Sequence, residues 1–356
     1  MSRLLFITQK VDKDDDILGV YHGWIEKLSE KVEKINIICL YRGKVNLPPN
    51  VSVYSLGKDK LSSADLRGLT RIKYVFRFYK YIWWLRSDYD VVLTHMNPVY
   101  IVLGGLFWKL WGKKILLWYN HPLGNFIAKV GISLADKVFC TSSYSFSAKY
   151  KKTTIMPVGI DTDLFKPMAN VEKKNNRILF LGRISPIKKI ELLIEAVKIL
   201  DANGVDFKLL IMGSPASLKD KDYELKLKES ASDLIAKGKI VFQSSTPNYK
   251  TPEIYNSSRI FVNMTPTGSF DKAIFEAMAC GLPALTSNKM MESLLPEKYR
   301  NICIFREGSL TDLAQKISFL FSLDDLEIKN MGEQFRGLVL TNHSLDILVE
   351  KIVRYL

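Results

Sequence analysis

The chain lacks the marks of several large protein classes. Its longest apolar run, Pro98 to Trp108, is broken by Lys109 and falls well short of the ~20 residues that a membrane-spanning helix needs. Met1-Ser2-Arg3 passes straight into Leu4-Leu5-Phe6-Ile7, too short a stretch for a signal-peptide core. Cysteine is scarce: Cys39, Cys140, Cys280 and Cys303 are scattered, with no Cys-x-x-Cys pair and no histidine at ligand spacing. That argues against a disulfide framework and a zinc site, and fits reduced thiols in the cytoplasm. No Gly-x-Gly-x-x-Gly is present, as a nicotinamide-dependent oxidoreductase would require, and no Gly-Lys pair precedes Ser or Thr, so a P-loop is missing too. There are no internal repeats or low-complexity segments.

Basic charge is present, and unevenly. The 356 residues carry a net charge of +14, and residues 1–170 hold 25 Lys and Arg against 14 Asp and Glu. Such a bias fits a polyanionic partner, either nucleic acid or an anionic membrane surface; a lysine-rich surface kept for solubility is the alternative. Residues 66–86 contain Arg67, Arg71, Lys73, Arg77, Lys80 and Arg86 without one acidic residue, interleaved with Tyr74, Phe76, Phe78, Tyr79, Tyr81, Trp83 and Trp84. A basic aromatic helix there suits an anionic membrane interface. Alternatively, its aromatics pack on the domain and its cations are solvated.

Apolar strand-like runs alternate with helical periodicity along the whole chain. Strands are expected at Arg3–Thr8, Ile35–Leu40, Val51–Leu56, Val91–Leu93, Ile115–Trp118, Lys137–Cys140 and Thr154–Met156, then at Arg177–Leu181, Phe207–Met212, Ile240–Phe242, Ile260–Val262 and Ala284–Thr286. Helices are expected between them, including Asp65–Arg86, Lys188–Asn203, Tyr223–Lys237 and Phe270–Cys280, with an amphipathic helix at Leu345–Leu356. Continuous apolar strands between helices indicate parallel sheets covered on both faces. The polar stretch Asn170 to Asn176 reads as a linker. The expectation is an α/β chain of two doubly wound, Rossmann-like domains facing across a cleft. They cover 1–165 and 166–340, with 341–356 a helix packing back toward the first domain. In such sheets ligands bind beyond the carboxyl ends of the strands.

Two segments carry the chemistry. In Leu181-Gly182-Arg183-Ile184-Ser185-Pro186-Ile187-Lys188, between a strand and a helix, Arg183 and Lys188 can both reach one diphosphate, the first as a planar fork and the second as a point charge. A helix-opening loop with solvated cations is the alternative. In Thr265 to Pro283, Gly268 and Ser269 leave backbone N–H groups at a helix start, where the dipole favours phosphate. Glu276 follows among Phe275, Ala277, Met278, Ala279 and Cys280. A carboxylate in so apolar a helix needs a partner or a task.

These residues resemble the retaining glycosyltransferases of family 4, which have the GT-B fold. Gly182, Arg183 and Lys188 match the family's Gly-Arg-x-x-x-x-Lys turn, Glu276 to Pro283 match Glu-Ala-Met-Ala-Cys-Gly-x-Pro, and Gly159 to Pro167 match Gly-Ile-Asp-x-x-x-Phe-x-Pro. The resemblance implies Arg183 and Lys188 on the donor diphosphate and Glu276 on the ribose. Gly19, Gly268, Ser269, Phe270, Asp271 and Lys272 complete the expected donor set. It implies a nucleotide-diphospho-sugar of UDP or GDP type as donor, a glycan or lipid-linked acceptor, no cofactor and no metal. It also implies retention, with front-face substitution in which the leaving diphosphate helps deprotonate the acceptor. The sequence departs from the family at Gly268, where a sugar-contacting Glu is usual; Asp271 or main-chain amides of 270–272 are expected to take over.

In the first half, Asp14, Asp15 and Asp16 suit sugar hydroxyls. They also resemble an Asp-x-Asp metal site, or simply an acidic helix start. His121, just after a strand, is expected beside the transferred sugar, and His95 ends another strand. His22 and His343 read as structural. The working expectation is a cytoplasmic enzyme attached peripherally to the inner membrane face, with no nucleic acid partner. A same-fold epimerase or hydrolase and a basic nucleic-acid-binding protein are the alternatives.

Overall fold

The computed structural model describes residues 2–60, 69–268 and 270–356, without the side chains of 60 and 69–71. Arg67, Ser269 and the expected helix start at Asp65 lie outside the described residues, as does the side chain of Arg71. The chain forms two compact units, 1–159 with 345–356, and 160–344.

The first unit runs β1 (Arg3–Val11), α1 (Val20–Ser29), β2 (Lys34–Arg42), β3 (Val51–Ser55), α2 (Leu69–Trp84), β4 (Val91–His95), α3 (Val99–Leu110), β5 (Lys114–Trp118), α4 (Phe126–Leu134), β6 (Lys137–Cys140) and β7 (Thr153–Ile155). Its seven strands are all parallel, in the order β3-β2-β1-β4-β5-β6-β7. Alternate residues of β1 enter different cores: Leu4 and Phe6 join one apolar cluster, Leu5 and Ile7 the other. Both faces are thus covered, which is why these strands read as unbroken apolar runs.

The second unit runs β8 (Arg177–Leu181), α5 (Ile190–Ala202), β9 (Lys208–Met212), α6 (Leu218–Ser230), α7 (Ser232–Ala236), β10 (Ile240–Gln243), α8 (Pro252–Asn256), β11 (Ile260–Asn263), α9 (Lys272–Ala279), β12 (Ala284–Thr286), α10 (Glu297–Cys303), α11 (Leu310–Ser322) and α12 (Asp325–Asn342). Its five strands are parallel, ordered β10-β9-β8-β11-β12. The last helix, α13 (Leu345–Val353), belongs to the first unit, where Leu345, Leu348, Val349 and Ile352 pack with Trp24, Ile25 and Leu28.

Both sheets grow outward from a central strand pair, β1/β4 and β8/β11, at which the strand order reverses. That reversal leaves a crevice at the strands' carboxyl ends. Here the second sheet is tightly built. The Gly182 N–H donates to the Met212 carbonyl (3.0 Å), and the Gly213 N–H to that of Gln243 (2.9 Å). A Cβ at Gly213 would lie 1.9 Å from the Gly182 oxygen. Gly213→Ala is therefore expected to destabilise by about 1–3 kcal/mol through forced backbone shift. In α1, Gly23→Ala meets nothing within 4 Å and is expected to stabilise by about 0.5–1 kcal/mol. Urea unfolding midpoints read both; a neutral Gly213→Ala would contradict the close approach.

Candidate active site

Lys188 and Asp271 meet where the strand order of the second sheet reverses. Lys188 ends a short 3-10 turn, Pro186–Lys188, after β8, and Asp271 is the N-cap of α9 after β11. Asp271 uses both oxygens. Oδ1 accepts from the Ala273 N–H (3.3 Å), as an N-cap does. Oδ2 accepts from the Lys188 ammonium, from the Thr265 hydroxyl (2.9 Å) and from Asn263 Nδ2 (3.3 Å). Lys188 Nζ also donates to Thr265 Oγ1 (2.8 Å). Burial alone would raise the Asp271 pKa, but Lys188, Thr265 and the cap N–H outweigh it and hold the carboxyl below its ordinary range.

Glu276 lies one helical turn further on, 3% exposed. Its Oε1 accepts from Asn248 Nδ2 (2.9 Å) and its Oε2 from the Tyr255 hydroxyl (2.9 Å). Burial raises its pKa, and Asn248, Tyr255 and the Lys272 charge oppose that rise. Lys272, four residues earlier on the same helix, is pushed down by burial and partly restored by Glu276. The partner that the buried Glu276 demanded is thus a pair of neutral donors, and neither was identified from the sequence. Asn248 lies in the β10–α8 connection and Tyr255 in α8; no local pattern announces them.

The other expected donor residues are more exposed. Arg183 faces solvent and makes no ion pair with another described residue. Gly268 has φ +125, a backbone conformation open to glycine and strained for any L side chain. A glutamate at this position would therefore strain the loop in this conformation. The Phe270 ring packs edge-on to Phe275 at 5.2 Å.

In the first unit the expected residues do not gather at one point. Asp15 is a loop anchor: it accepts from the Leu18 and Ile17 N–H groups (2.6 and 2.9 Å) and from Lys10 (2.5 Å). Burial would raise its pKa, and those donors lower it. Asp14 pairs with Lys44 at 3.2 Å, and Asp16 is exposed. A side chain at Gly19 would meet the Asp15 carbonyl at 2.3 Å, so this glycine closes the Asp12–Gly19 turn. Among the described residues no group of three or more His, Cys, Asp or Glu is placed to hold a metal ion. His95, 4% exposed, bonds Thr8 Oγ1 (3.4 Å) and sits among the rings of Phe6, Tyr21, Trp24 and Trp118. It belongs to the aromatic core, which leaves almost no surface to a sugar. His121 is exposed in the loop after β5, its Nδ1 within 2.8 Å of the Leu123 carbonyl and 3.0 Å of the Leu123 N–H.

Residues 161–337 match the family described as glycosyl transferases group 1. The chain is similar to the capsular polysaccharide biosynthesis glycosyltransferase CapM of Staphylococcus aureus, at 26% identity over 67% of this chain and 64% of that protein. It is also similar to the UDP-Gal:alpha-D-GlcNAc-diphosphoundecaprenol alpha-1,3-galactosyltransferase of Escherichia coli, at 24% identity over 92% and 89%. The chain spans between 31% and 60% of the length of several other curated relatives it matches. Among solved structures, Anabaena HepE in complex with UDP and glucose superposes with a TM-score of 0.75, at 15% identity over 99% of each chain. Two parallel sheets with flanking helices and these neighbours define a GT-B fold. Over residues 161–337 the second unit belongs to the glycosyl transferases group 1.

The Lys188–Asp271 pair has a pH signature. A carboxyl held below its ordinary value stabilises fully above its unfolded pKa, and the contribution is lost as pH falls through the folded value. The stability gap between the wild-type protein and Asp271→Asn is expected to be widest near about pH 6 and to close toward about pH 3. Denaturant unfolding across that range measures it, and a pH-independent gap would remove the charge interaction.

Proposed function

We propose that the protein moves a sugar, with retention of anomeric configuration, from a UDP- or GDP-type nucleotide-diphospho-sugar to a hydroxyl of a glycan or lipid-linked acceptor. The observation that carries this reading is the Lys188 ammonium, held at the strand-order reversal one short loop from the start of α9. A diphosphate leaving group needs positive charge where its own negative charge develops, in a partly dehydrated site. Lys188 supplies one such charge and exposed Arg183 a second, able to bind two oxygens at once. Lys272 and the N-terminus of α9 add positive potential on the same side. Glu276 takes the ribose, exchanging the Asn248 donor for sugar hydroxyls. The leaving diphosphate accepts the acceptor proton, so no covalent nucleophile is required, and His121 works by hydrogen bonding at the transferred sugar. The named substrates of the E. coli galactosyltransferase and of HepE, a UDP-sugar in one and bound UDP with glucose in the other, support the UDP choice.

Thermal-shift screening against UDP-, GDP- and ADP-sugars tests the donor. A matching nucleotide at about 100 times its Kd adds about 2.7 kcal/mol to apparent stability; no shift with any of them would sink the reading. With the matching donor, Arg183→Ala and Lys188→Ala are each expected to lower turnover about 10²–10³-fold. Arg183→Ala should leave the melting temperature unchanged, because that side chain has no ion pair to lose. Near-normal turnover in Lys188→Ala would remove the leaving-group mechanism.

Membrane attachment is part of the proposal. No described helix is long and apolar enough to cross a bilayer. Helix α2 buries Phe78 and Ile82 yet leaves Phe76 (71%) and Trp84 (63%) exposed beside Lys73, Lys80 and Arg86. Arg77 is partly committed, donating to the Leu56 carbonyl (2.7 Å). The rings of α2 continue onto α3 through Tyr79–Phe107 (5.7 Å) and Trp83–Trp111 (5.6 Å). Beyond them, Leu110 (83%) and Phe126 (78%) face solvent. Aromatics that project beside cations suit the headgroup region of an anionic bilayer. Sedimentation with phosphatidylglycerol vesicles at low salt is expected to carry the protein down, and Phe76→Glu with Trp84→Glu to release it. Failure of the wild-type protein to sediment would reject attachment and leave the donor chemistry untouched.

A further inference from the structure

We propose that Asp271 is a positioning residue of the donor site: its carboxylate, with Thr265, holds the Lys188 ammonium toward the ligand and does not itself bind the transferred sugar. The inference rests on Lys188 being a diphosphate ligand.

Most of the hydrogen-bond capacity of Asp271 is already used, and that of the oxygen beside Lys188 is used entirely. An ionised carboxylate offers about four lone-pair sites. Oδ2 meets three donors, Lys188, Thr265 and Asn263, while Oδ1 caps α9 through Ala273. At Oδ2 a sugar hydroxyl would have to displace one of these donors; the single lone pair left on Oδ1 lies beside the start of α9. Lys188 is in the opposite situation. An ammonium has three N–H donors, and two go to Asp271 and Thr265, so one remains for a ligand.

The backbone enforces the same choice. Lys189, next in the chain, adopts the left-handed conformation (φ 46, ψ 41), which costs a non-glycine residue of order 1–3 kcal/mol. Its ammonium pairs with Glu307 at 2.7 Å. Two consecutive lysines are thus assigned to two different carboxylates, and only Lys188 is turned to the strand-order reversal. A free lysine side chain must surrender rotamer freedom when it binds an anion. Asp271 removes that freedom beforehand, which moves the ordering cost from the binding step to folding. It also supplies a counterion, so Lys188 is not left as a lone buried charge between turnovers.

Asp271→Ser and Asp271→Asn both keep an N-cap side chain and both remove the charge that grips Lys188. Reductive methylation followed by mass spectrometry reports how freely each lysine amine reacts. In the wild-type protein Lys188 is expected to react slowly, and both variants to speed it about tenfold, the equivalent of one charge-assisted hydrogen bond. Lys198, remote in α5, serves as the unchanged internal standard. With the donor identified by thermal shift, kcat is expected to fall about 100-fold, as for a misplaced catalytic group, and the Kd for UDP or GDP to rise about tenfold as the ordering cost returns to the binding step. A merely structural role would lower the melting temperature while leaving the kcat and donor Kd of the folded enzyme near the wild-type values, and that pattern overturns the proposal. So does Lys188 labelling that is unchanged in both variants. If neither UDP nor GDP protects Lys188 from methylation in the wild-type protein, the diphosphate role fails while the Lys188–Asp271 grip stands, so the two claims are separately decided.

Discussion

The second unit depends on the reversal of strand order between β8 and β11. Strands on either side of that line send their helices to opposite faces, so two loops part and leave a crevice. The chain places a cation at the end of one loop and a capping carboxylate at the end of the other. Their ion pair joins the two halves of the sheet at the point where backbone pairing cannot fill the space. The first unit has the same reversal between β1 and β4 and treats it differently. Thr8 on β1 reaches His95 on β4, and Tyr21, Trp24 and Trp118 pack around the histidine. One crevice is filled with aromatic rings and the other with charge. The topology provides both openings, and the side chains give one an aromatic lining and the other a charged one.

Two carboxylates of one short helix, the half-buried Asp271 and the buried Glu276, are electrostatically opposite. Asp271 has a full cation against it and is held ionised. Glu276 has only the neutral donors Asn248 and Tyr255 at hydrogen-bond distance, and burial pushes it toward the proton. A buried carboxylate with neutral partners is a standing cost to the fold. An apolar residue of similar size would fit the surroundings of Phe275, Ala277 and Met278 better. That the cost is carried within a helix that starts at the crevice supports, on the proposed function, a ligand-binding task for Glu276.

Much of this was legible in the sequence because the strongest signals are local. The strands Lys137–Cys140, Arg177–Leu181 and Ala284–Thr286 follow from apolar runs alone, since a strand buried on both faces has no polar alternation to confuse it. Helices fared unevenly. The expected helix from Tyr223 to Lys237 is instead α6 and α7, broken at Ala231, and α6 begins earlier, at Leu218, behind a Ser217 cap that was not picked out. Helix α9 starts at Lys272 rather than Phe270, because Asp271 takes the cap position. Helices α4, α8, α10, α11 and α12 were not anticipated. Lys188, Asp271 and Glu276 could be named from spacing, but Asn248, Tyr255 and Asn263 could not. They reach the site from separate loops and helices, and that proximity exists only after folding. His95 failed for the same reason in reverse: the end of a strand suggests a crevice, yet the rings that close it come from α1, β1 and β5.

Gly268 and Asp271 should be considered together. Relative to the family pattern, a carboxylate is missing at 268 and one is present three residues later, which invites the view that it simply moved. The geometry argues against that. At Gly268 the backbone has a conformation that a glutamate would strain. The carboxylate at 271 has its Oδ2 filled by a lysine, a threonine and an asparagine and its Oδ1 engaged by the helix N–H. On the proposed function, hydroxyl recognition of the transferred sugar then falls to main-chain groups around 270–272. Main-chain amides distinguish hydroxyl orientation less sharply than a carboxylate that accepts from two hydroxyls at once. A site built this way grips the nucleotide through fixed charges and leaves the sugar to be selected by shape.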